Sequence, residues 1–262
     1  MKNLFIDDFL NSVKKISLPY ELGKQDINLR YKRSVLGPFW ITINIVLMSI
    51  CLSFVFGFIM KQNLNQLFPH LFFGLIFWNF ITLTINDGCA VFSANSHMLH
   101  QIKIPYLVLV FRVIIRNIYI LMHNVITIPI IIILFKVDIN ANIFFLLINF
   151  PLVLLILFFT CIFLGILNSR FRDLENIVQN LLNISFYLTP IFWNLDLISG
   201  SKYGFLINLN PFYHMIELLR KPLLGLQANS VIYLFIFCLI VLTFFLASFL
   251  FIKYKKRIAY WV

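Results

Sequence analysis

The stretch Arg30-Tyr-Lys-Arg-Ser-Val-Leu-Gly-Pro-Phe-Trp40 constrains this chain more than any other. A basic cluster stops at a Gly-Pro break, and an apolar run from Trp40 to Met60 begins at once. A helix needs about 20 apolar residues to cross the roughly 30 Å hydrocarbon layer of a bilayer, and this run supplies them. Cations beside such a run favour the cytoplasmic side. The junction predicts a membrane helix, its direction and a collar of positive charge where it meets the membrane.

The rest of the chain has too little polar surface for any other setting. Of 262 residues, 61% are hydrophobic and only 12% charged, against about 25% charged in a soluble domain. The net charge of +11 lies beside apolar runs, where it sets topology and meets anionic lipid headgroups. No basic helix or aromatic-basic sheet motif points to nucleic acid. Cys51, Cys89, Cys161 and Cys238 fall in separate apolar segments without a CxxC pair, so they read as small buried side chains and not as a metal or disulfide framework. Residues 1–36 are polar or amphipathic, and the first apolar run is too long and too late for a cleaved signal.

Six spans are predicted, near 39–60, 68–91, 106–135, 143–168, 177–198 and 230–252. The third and fourth exceed the bilayer thickness and must tilt or project. With both ends inside, the inner segments hold Lys2, Lys14, Lys15, Lys24, Arg30, Lys32, Arg33, Lys103, Arg170, Arg172, Lys253, Lys255, Lys256 and Arg257. The outer ones hold only Lys61, Lys136, Lys202, Arg220 and Lys221. This asymmetry places both termini in the cytoplasm.

Ahead of the first span, Phe5, Ile6, Phe9, Leu10, Val13 and Ile16 recur at helical spacing, with Asp7, Asp8, Lys14 and Lys15 on the other face. Such a helix lies in the membrane interface, as an anchor, as a docking element for a cytoplasmic partner, or as both. Pro19 ends this stretch. Residues 199–229 are too apolar for a free loop and too broken to span, which predicts half-inserted helices buried by protein. Pro190 should kink span five just before them. The predicted fold is an all-α membrane protein: an interface segment over 1–36, then a six-span domain over 37–262 with half-inserted helices between spans five and six.

No GxxxxGK[ST] phosphate loop is present, and the one acid inside a clear span, Asp87, falls near its inner border. Any active transport then draws its energy from another subunit, and no catalytic residue or metal ligand set is assigned. Arg112 and Arg116 share a helical face; either span three starts after them, at the cytoplasmic border, or they face a cavity that admits an anionic lipid-linked substrate. His97 and His100 read as solvated loop residues, and mid-span His123 as a hydrogen-bonding partner for a neighbouring helix. Tyr187, Thr189, Phe192, Trp193, Tyr203, Phe212 and Tyr213 form either a membrane-border belt or a sugar-stacking exit.

Four landmarks, in order, resemble one family. They are Tyr31-Lys-Arg-Ser-Val-Leu-Gly-Pro-Phe-Trp40, Arg170-Phe-Arg-Asp-Leu174, Thr189-Pro-Ile-Phe-Trp193, and Asn210-Pro-Phe-Tyr-His214 followed by Glu217. Together with a basic-aromatic tail over 253–262, they resemble the permease subunits of ABC-type polysaccharide exporters. The resemblance implies a homodimer paired with two copies of a separate ATPase that binds the ATP and Mg, and an undecaprenyl-diphosphate-linked polysaccharide as substrate. It also implies substrate admission at Arg30, Lys32, Arg33, Trp40, Arg112 and Arg116. A channel and outer gate would use Tyr187, Pro190, Phe192, Trp193, Asn210, Pro211, Tyr213, His214 and Glu217, with ATPase contacts at His97, His100 and Lys103. O-antigen is the favoured cargo and teichoic acid the alternative. A membrane enzyme acting on a lipid-linked sugar would need acid-base pairs that the scattered acids do not offer, and a purely structural role leaves the gate-like segment unexplained.

Overall fold

The computed structural model describes residues 4–37, 39–193 and 204–262. Two short helices, α1 (Leu4–Lys14) and α2 (Ser17–Tyr31), precede the apolar α3 (Phe39–Met60) and α4 (Leu64–Cys89). A 3₁₀ turn and α5 (Ser96–Gln101) lead to α6 (Leu107–Val125) and α7 (Ile128–Phe135). A second 3₁₀ turn opens α8 (Leu146–Arg170), followed by α9 (Leu174–Leu188), α10 (Gly204–Asn208), α11 (Pro211–Leu223) and α12 (Ser230–Trp261). Among the described residues five helical segments are long and apolar enough to cross a membrane: 39–59, 64–89, 107–135, 141–170 and 230–261.

The centre of the fold is α4. In its most apolar stretch 72% of residues are buried, against 28% in α3 and 17% in α12, so α3 and α12 leave most of their apolar surface for lipid or another chain. Small residues bring α4 and α8 close. A Cβ added at Gly88 would stand 3.0 Å from the Cys161 Cα, and one at Gly165 would stand 3.1 Å from the Gly88 carbonyl oxygen. Such notches let backbones approach where no water exists to drive helices together. Polar cross-links fix the register: Thr42 Oγ1 donates to Asn124 Oδ1 at 2.6 Å, joining α3 to α6. Asn149 on α8 donates to the Leu218 carbonyl of α11 at 2.8 Å and accepts from Tyr233 of α12 at 3.1 Å.

The contacts define two ends. Lys255 Nζ meets Asp8 at 2.6 Å, and Arg170 sits 5.7 Å over the Trp261 ring. The start of α1, the end of α8 and the end of α12 therefore share the terminal end. At the distal end, Asn140 and Asn142 both donate to the Gly225 carbonyl, at 3.3 and 2.8 Å, so the α7–α8 and α11–α12 turns meet. The chain must therefore travel from one end to the other between Arg170 and Gly225, although α9 has only 15 residues, about 22 Å of helix.

Several expectations are corrected in detail. Thr189 adopts an extended conformation (φ −92°, ψ 133°), as the residue before Pro190 should, so α9 ends at Leu188 and does not run through Pro190 as a kinked helix; residues 194–198, Lys202 and Tyr203 lie outside the described residues. The third span is interrupted at Ile126-Thr127, because Pro129 in the first turn of α7 has no N–H for the Val125 carbonyl. Pro19 sits in the first turn of α2 and does not end α1, which stops at Lys14. Phe5, Asp8 and Ser12 form the buried face of α1, while Ile6, Leu10, Val13 and Ile16 are exposed. Residues 96–101 are helical, with His97 and His100 exposed. Cys51 and Cys238 are exposed on their helices, and His123 donates to its own helix, at the Tyr119 carbonyl, 2.7 Å away.

Candidate functional site

Apolar helices that carry polar side chains need a reason, and here several half-buried or exposed ones share one groove. Asn44 and Cys51 on α3, Trp78, Asn79 and Thr82 on α4, and Asn183, Phe186 and Tyr187 on α9 line a cavity of about 870 Å³. Trp78 and Phe186 form one wall, with ring centroids 5.6 Å apart. Thr82 spends its proton on the Trp78 carbonyl at 2.9 Å, leaving its oxygen as an acceptor. Three amides beside aromatic rings suit a neutral polyhydroxylated ligand: rings pack on the C–H faces of a sugar, and amides bond its hydroxyls. Of the expected channel residues only Tyr187 lines this groove. Asn44, Asn79, Thr82 and Asn183 were legible as polar interruptions in apolar runs, with Asn79 and Thr82 one helical turn apart.

Beyond α9 the chain turns inward on Pro190, which is buried. Phe192 packs 4.9 Å from Phe56 and 5.7 Å from Phe186; Trp193 is half-buried. Asn210 caps α11 by accepting from the Phe212 N–H at 2.9 Å and donates to Thr189 Oγ1 at 2.9 Å, with Pro211 in the first turn where its missing N–H does no harm. Helix α11 is buried from His214 to Arg220. His214 stacks on Phe235 at 4.0 Å and meets the Asn208 carbonyl at 2.8 Å. Burial holds its imidazole below the ordinary range, against the opposing pull of that carbonyl and Glu217. Tyr213 is half-buried beside it. Glu217 pairs with Arg220, which also donates to the Pro190 carbonyl at 3.1 Å. Arg220 is thus a buried structural cation and not a charge of an outer loop.

At the terminal end, Arg30, Lys32 and Arg33 are exposed, and none has a carboxylate partner among the described residues. Trp40 is 56% exposed. The collar is open to an anion. Arg112 and Arg116 are not: Arg112 binds Asp26 by two hydrogen bonds, and Arg116 reaches Asp26 at 3.4 Å and Asp87 at 2.7 Å. Their side chains are 17% and 21% exposed. They join α2, α4 and α6, so the exposed collar is the better anion receptor.

A second terminal cleft of about 700 Å³ lies between α1, the α5–α6 connection and α12, lined by residues including Asp7, Asn11, His100, Lys103, Tyr106 and Lys255. It brings His100 and Lys103 together with α1; His97 does not line it. Burial, with the Asp8 charge as a second cause, raises the Tyr106 phenol above its ordinary value. Among the described residues no three His, Cys, Asp or Glu side chains converge to hold a metal ion.

Residues 20–224 match the ABC-2 type transporter family. The O-antigen export system permease protein RfbA of Myxococcus xanthus is 28% identical over 229 residues, covering 81% of this chain and 86% of that protein. Two Klebsiella pneumoniae proteins of the same name are each 28% identical, over 244 and 264 residues; the longer match covers 93% of this chain and 98% of the relative.

Proposed function

This chain belongs to the ABC-2 type transporter family, and we propose that it is the permease subunit of an ATP-driven exporter carrying a lipid-linked polysaccharide, O-antigen foremost, across the inner membrane. It is a multi-pass membrane protein. The observation that carries the cargo assignment is the groove lined by Asn44, Asn79 and Asn183 together with Trp78, Phe186 and Tyr187. Its chemistry suits neutral sugar units in succession and provides no strong point of attachment, as a conduit requires. The relatives' names supply the class of glycan.

The finer arrangement follows the same reading. Both termini face the cytoplasm, with a sixth crossing between α8 and α12 that begins with α9. Two copies form the conduit, using the apolar surface that α3 and α9 leave uncovered, and two ATPase subunits bind ATP and Mg. The collar of Arg30, Lys32 and Arg33 receives the diphosphate of an undecaprenyl carrier, where charge-assisted bonds to phosphate oxygens are strongest. The cleft bearing His100 and Lys103 docks the ATPase, and α11 with Pro190, Tyr213 and His214 closes the outer end.

The test is export itself. In cells carrying the permease, its ATPase and the glycan pathway, Asn79→Leu with Asn183→Leu should stop surface display of the glycan while the permease–ATPase complex still purifies. Lipid-linked glycan should then accumulate in the inner leaflet. Normal display by a fully expressed double variant would refute the groove as the conduit, and normal display after deleting the gene would refute glycan export.

A further inference from the structure

The distal end carries a second polar cavity, separate from the groove. Three turns build it: Gln62, Asn63, Asn65 and Gln66 from the α3–α4 turn and start of α4, Lys136 and Asp138 after α7, and Leu224 and Leu226 after α11. Its volume is about 730 Å³, room for one or two sugar rings. The floor is apolar, with Leu67, Pro69 and Phe135. Among the polar residues four are amides, and the one cation and one anion offset each other. That composition matches a neutral hydroxyl-rich ligand and fits neither a phosphate nor a metal ion.

Two further observations mark it as more than a gap between turns. His70 lines the wall, and its Nε2 is buried with no hydrogen-bond partner among the described residues. A buried imidazole nitrogen without a partner is costly, and a small turn of the ring toward the cavity would offer it a ligand hydroxyl. Lys61 and Lys136, which end α3 and α7 at this face, both have φ +51°. Glycine is the relaxed residue at such helix ends, and a lysine held there keeps a side chain where the backbone would be easier without one. Asn63 uses its Oδ1 to cap α4, accepting from the Asn65 N–H at 3.0 Å, so the cap oxygen is committed.

The geometry points to a saccharide-binding subsite on the outer face, where a unit of the emerging glycan is held after it leaves the groove. The inference rests on the outward orientation and glycan cargo proposed above. A hold at the exit would bias the chain against sliding back while the ATPase resets, and weak multipoint bonding by amides is suited to repeated release.

A protection experiment separates the possibilities. In the full chain with its four cysteines changed to Ser, Asn65→Cys is exposed to a membrane-impermeant maleimide in intact spheroplasts. The probe ligand is the lipid-free oligosaccharide released by mild acid from the cell's own exported glycan. We expect labelling from outside, slowed at least fivefold by the oligosaccharide at concentrations on the order of 10 mM, the weak end of specific affinity. Labelling of a cysteine at Asn229, outside the cavity, should be unaffected, and His70→Phe should remove the protection. Outside labelling without protection, or protection that survives His70→Phe, overturns the subsite and leaves the export reading standing. Labelling only after the membrane is opened overturns the orientation, and the subsite with it.

Discussion

Asp26 on α2 holds Arg112 on α6 through two parallel hydrogen bonds, Nε to Oδ2 at 2.8 Å and an η-nitrogen to Oδ1 at 2.5 Å. The same guanidinium donates to Asn95 Oδ1 at 2.7 Å, and Arg116 one turn later carries the link on to Asp87 of α4. Gly23 permits the approach, since a Cβ there would stand 3.3 Å from the Arg112 carbonyl oxygen. The short helix α2 is thereby fastened to two membrane helices by fork-shaped, charge-assisted contacts. Movement imposed on α2 would reach α6 and α4 without slack.

Lysine cannot reproduce a two-pronged contact. Arg112→Lys and Asp26→Asn should each destabilise the detergent-solubilised protein by about 2 kcal/mol, below the 3–5 kcal/mol for a fully buried pair because the site is partly exposed. The double variant should lose little more than either single one, because both remove the same bond. Thermal unfolding of the four proteins decides; strictly additive losses would show that the two residues do not work as a pair.

The carboxylate of Asp8 joins three helices at once. It lies on α1, accepts the N–H of Leu107 at the start of α6 at 3.1 Å, and binds Lys255 of α12 at 2.6 Å. A negative charge at a helix N-terminus meets both a free donor and the positive end of the dipole. Asp8→Ala should cost about 1–3 kcal/mol through the groups it orphans and release α1 from the bundle. Limited proteolysis should then cut near Lys14-Lys15 faster, with the fragment from α3 onward intact. Unchanged cleavage would mean that Phe5 and Phe9 alone hold α1.

The way Asp8 is used explains where sequence reading stops. Apolar length alone located α3 within its observed bounds, and found α4, α8 and α12, because a helix uniformly apolar over some 20 residues has one stable environment. Periodicity puts Asp8 on the face opposite the apolar stripe of α1, because it shows which residues share a face but not that the Lys255 cation waits opposite. Arg112 and Arg116 posed the same problem: their partners lie at Asp26 and Asp87, far off in sequence. The end of α9 at Thr189-Pro190 was visible as a disturbance, yet whether proline bends or stops a helix depends on what satisfies the freed backbone groups. Here Arg220 satisfies the Pro190 carbonyl, from a position that had been counted as a loop charge.

Close packing between α4 and α8 gives a prediction independent of charge. Gly88 and Gly165 meet across the interface, with Cys161 between them. Gly165→Leu should prevent stable insertion, because the Val91 and Phe92 side chains and the Gly88 backbone surround the site and overpacking costs about 1–3 kcal/mol even for smaller additions. Gly165→Ala should be milder and leave a folded protein of reduced Tm. Fluorescence size-exclusion profiles of the two variants are the readout, and a normal profile for the leucine variant would contradict the contact.

The pair Glu217 and Arg220 links α11 to the turn after α9. Both are nearly free of solvent, with side-chain exposures of 8% and 3%, and Gly74 of α4 lies under the guanidinium, since a Cβ there would stand 3.2 Å from it. Arg220→Met removes the donor to the Pro190 carbonyl and leaves Glu217 with Lys221 alone, 3.5 Å away. Breaking one side of a buried pair costs about 3–5 kcal/mol, whereas replacing both partners is far less harmful. Arg220→Met should therefore lower Tm sharply, and Glu217→Gln added to it should restore part of the loss. If α11 closes the outer end, the single variant in proteoliposomes should also leak a small trapped dye, and the double variant should leak less. A destabilised single variant that stays sealed would confine the pair to architecture, and a double variant no better than the single would show that the guanidinium matters for the Pro190 turn and not for Glu217.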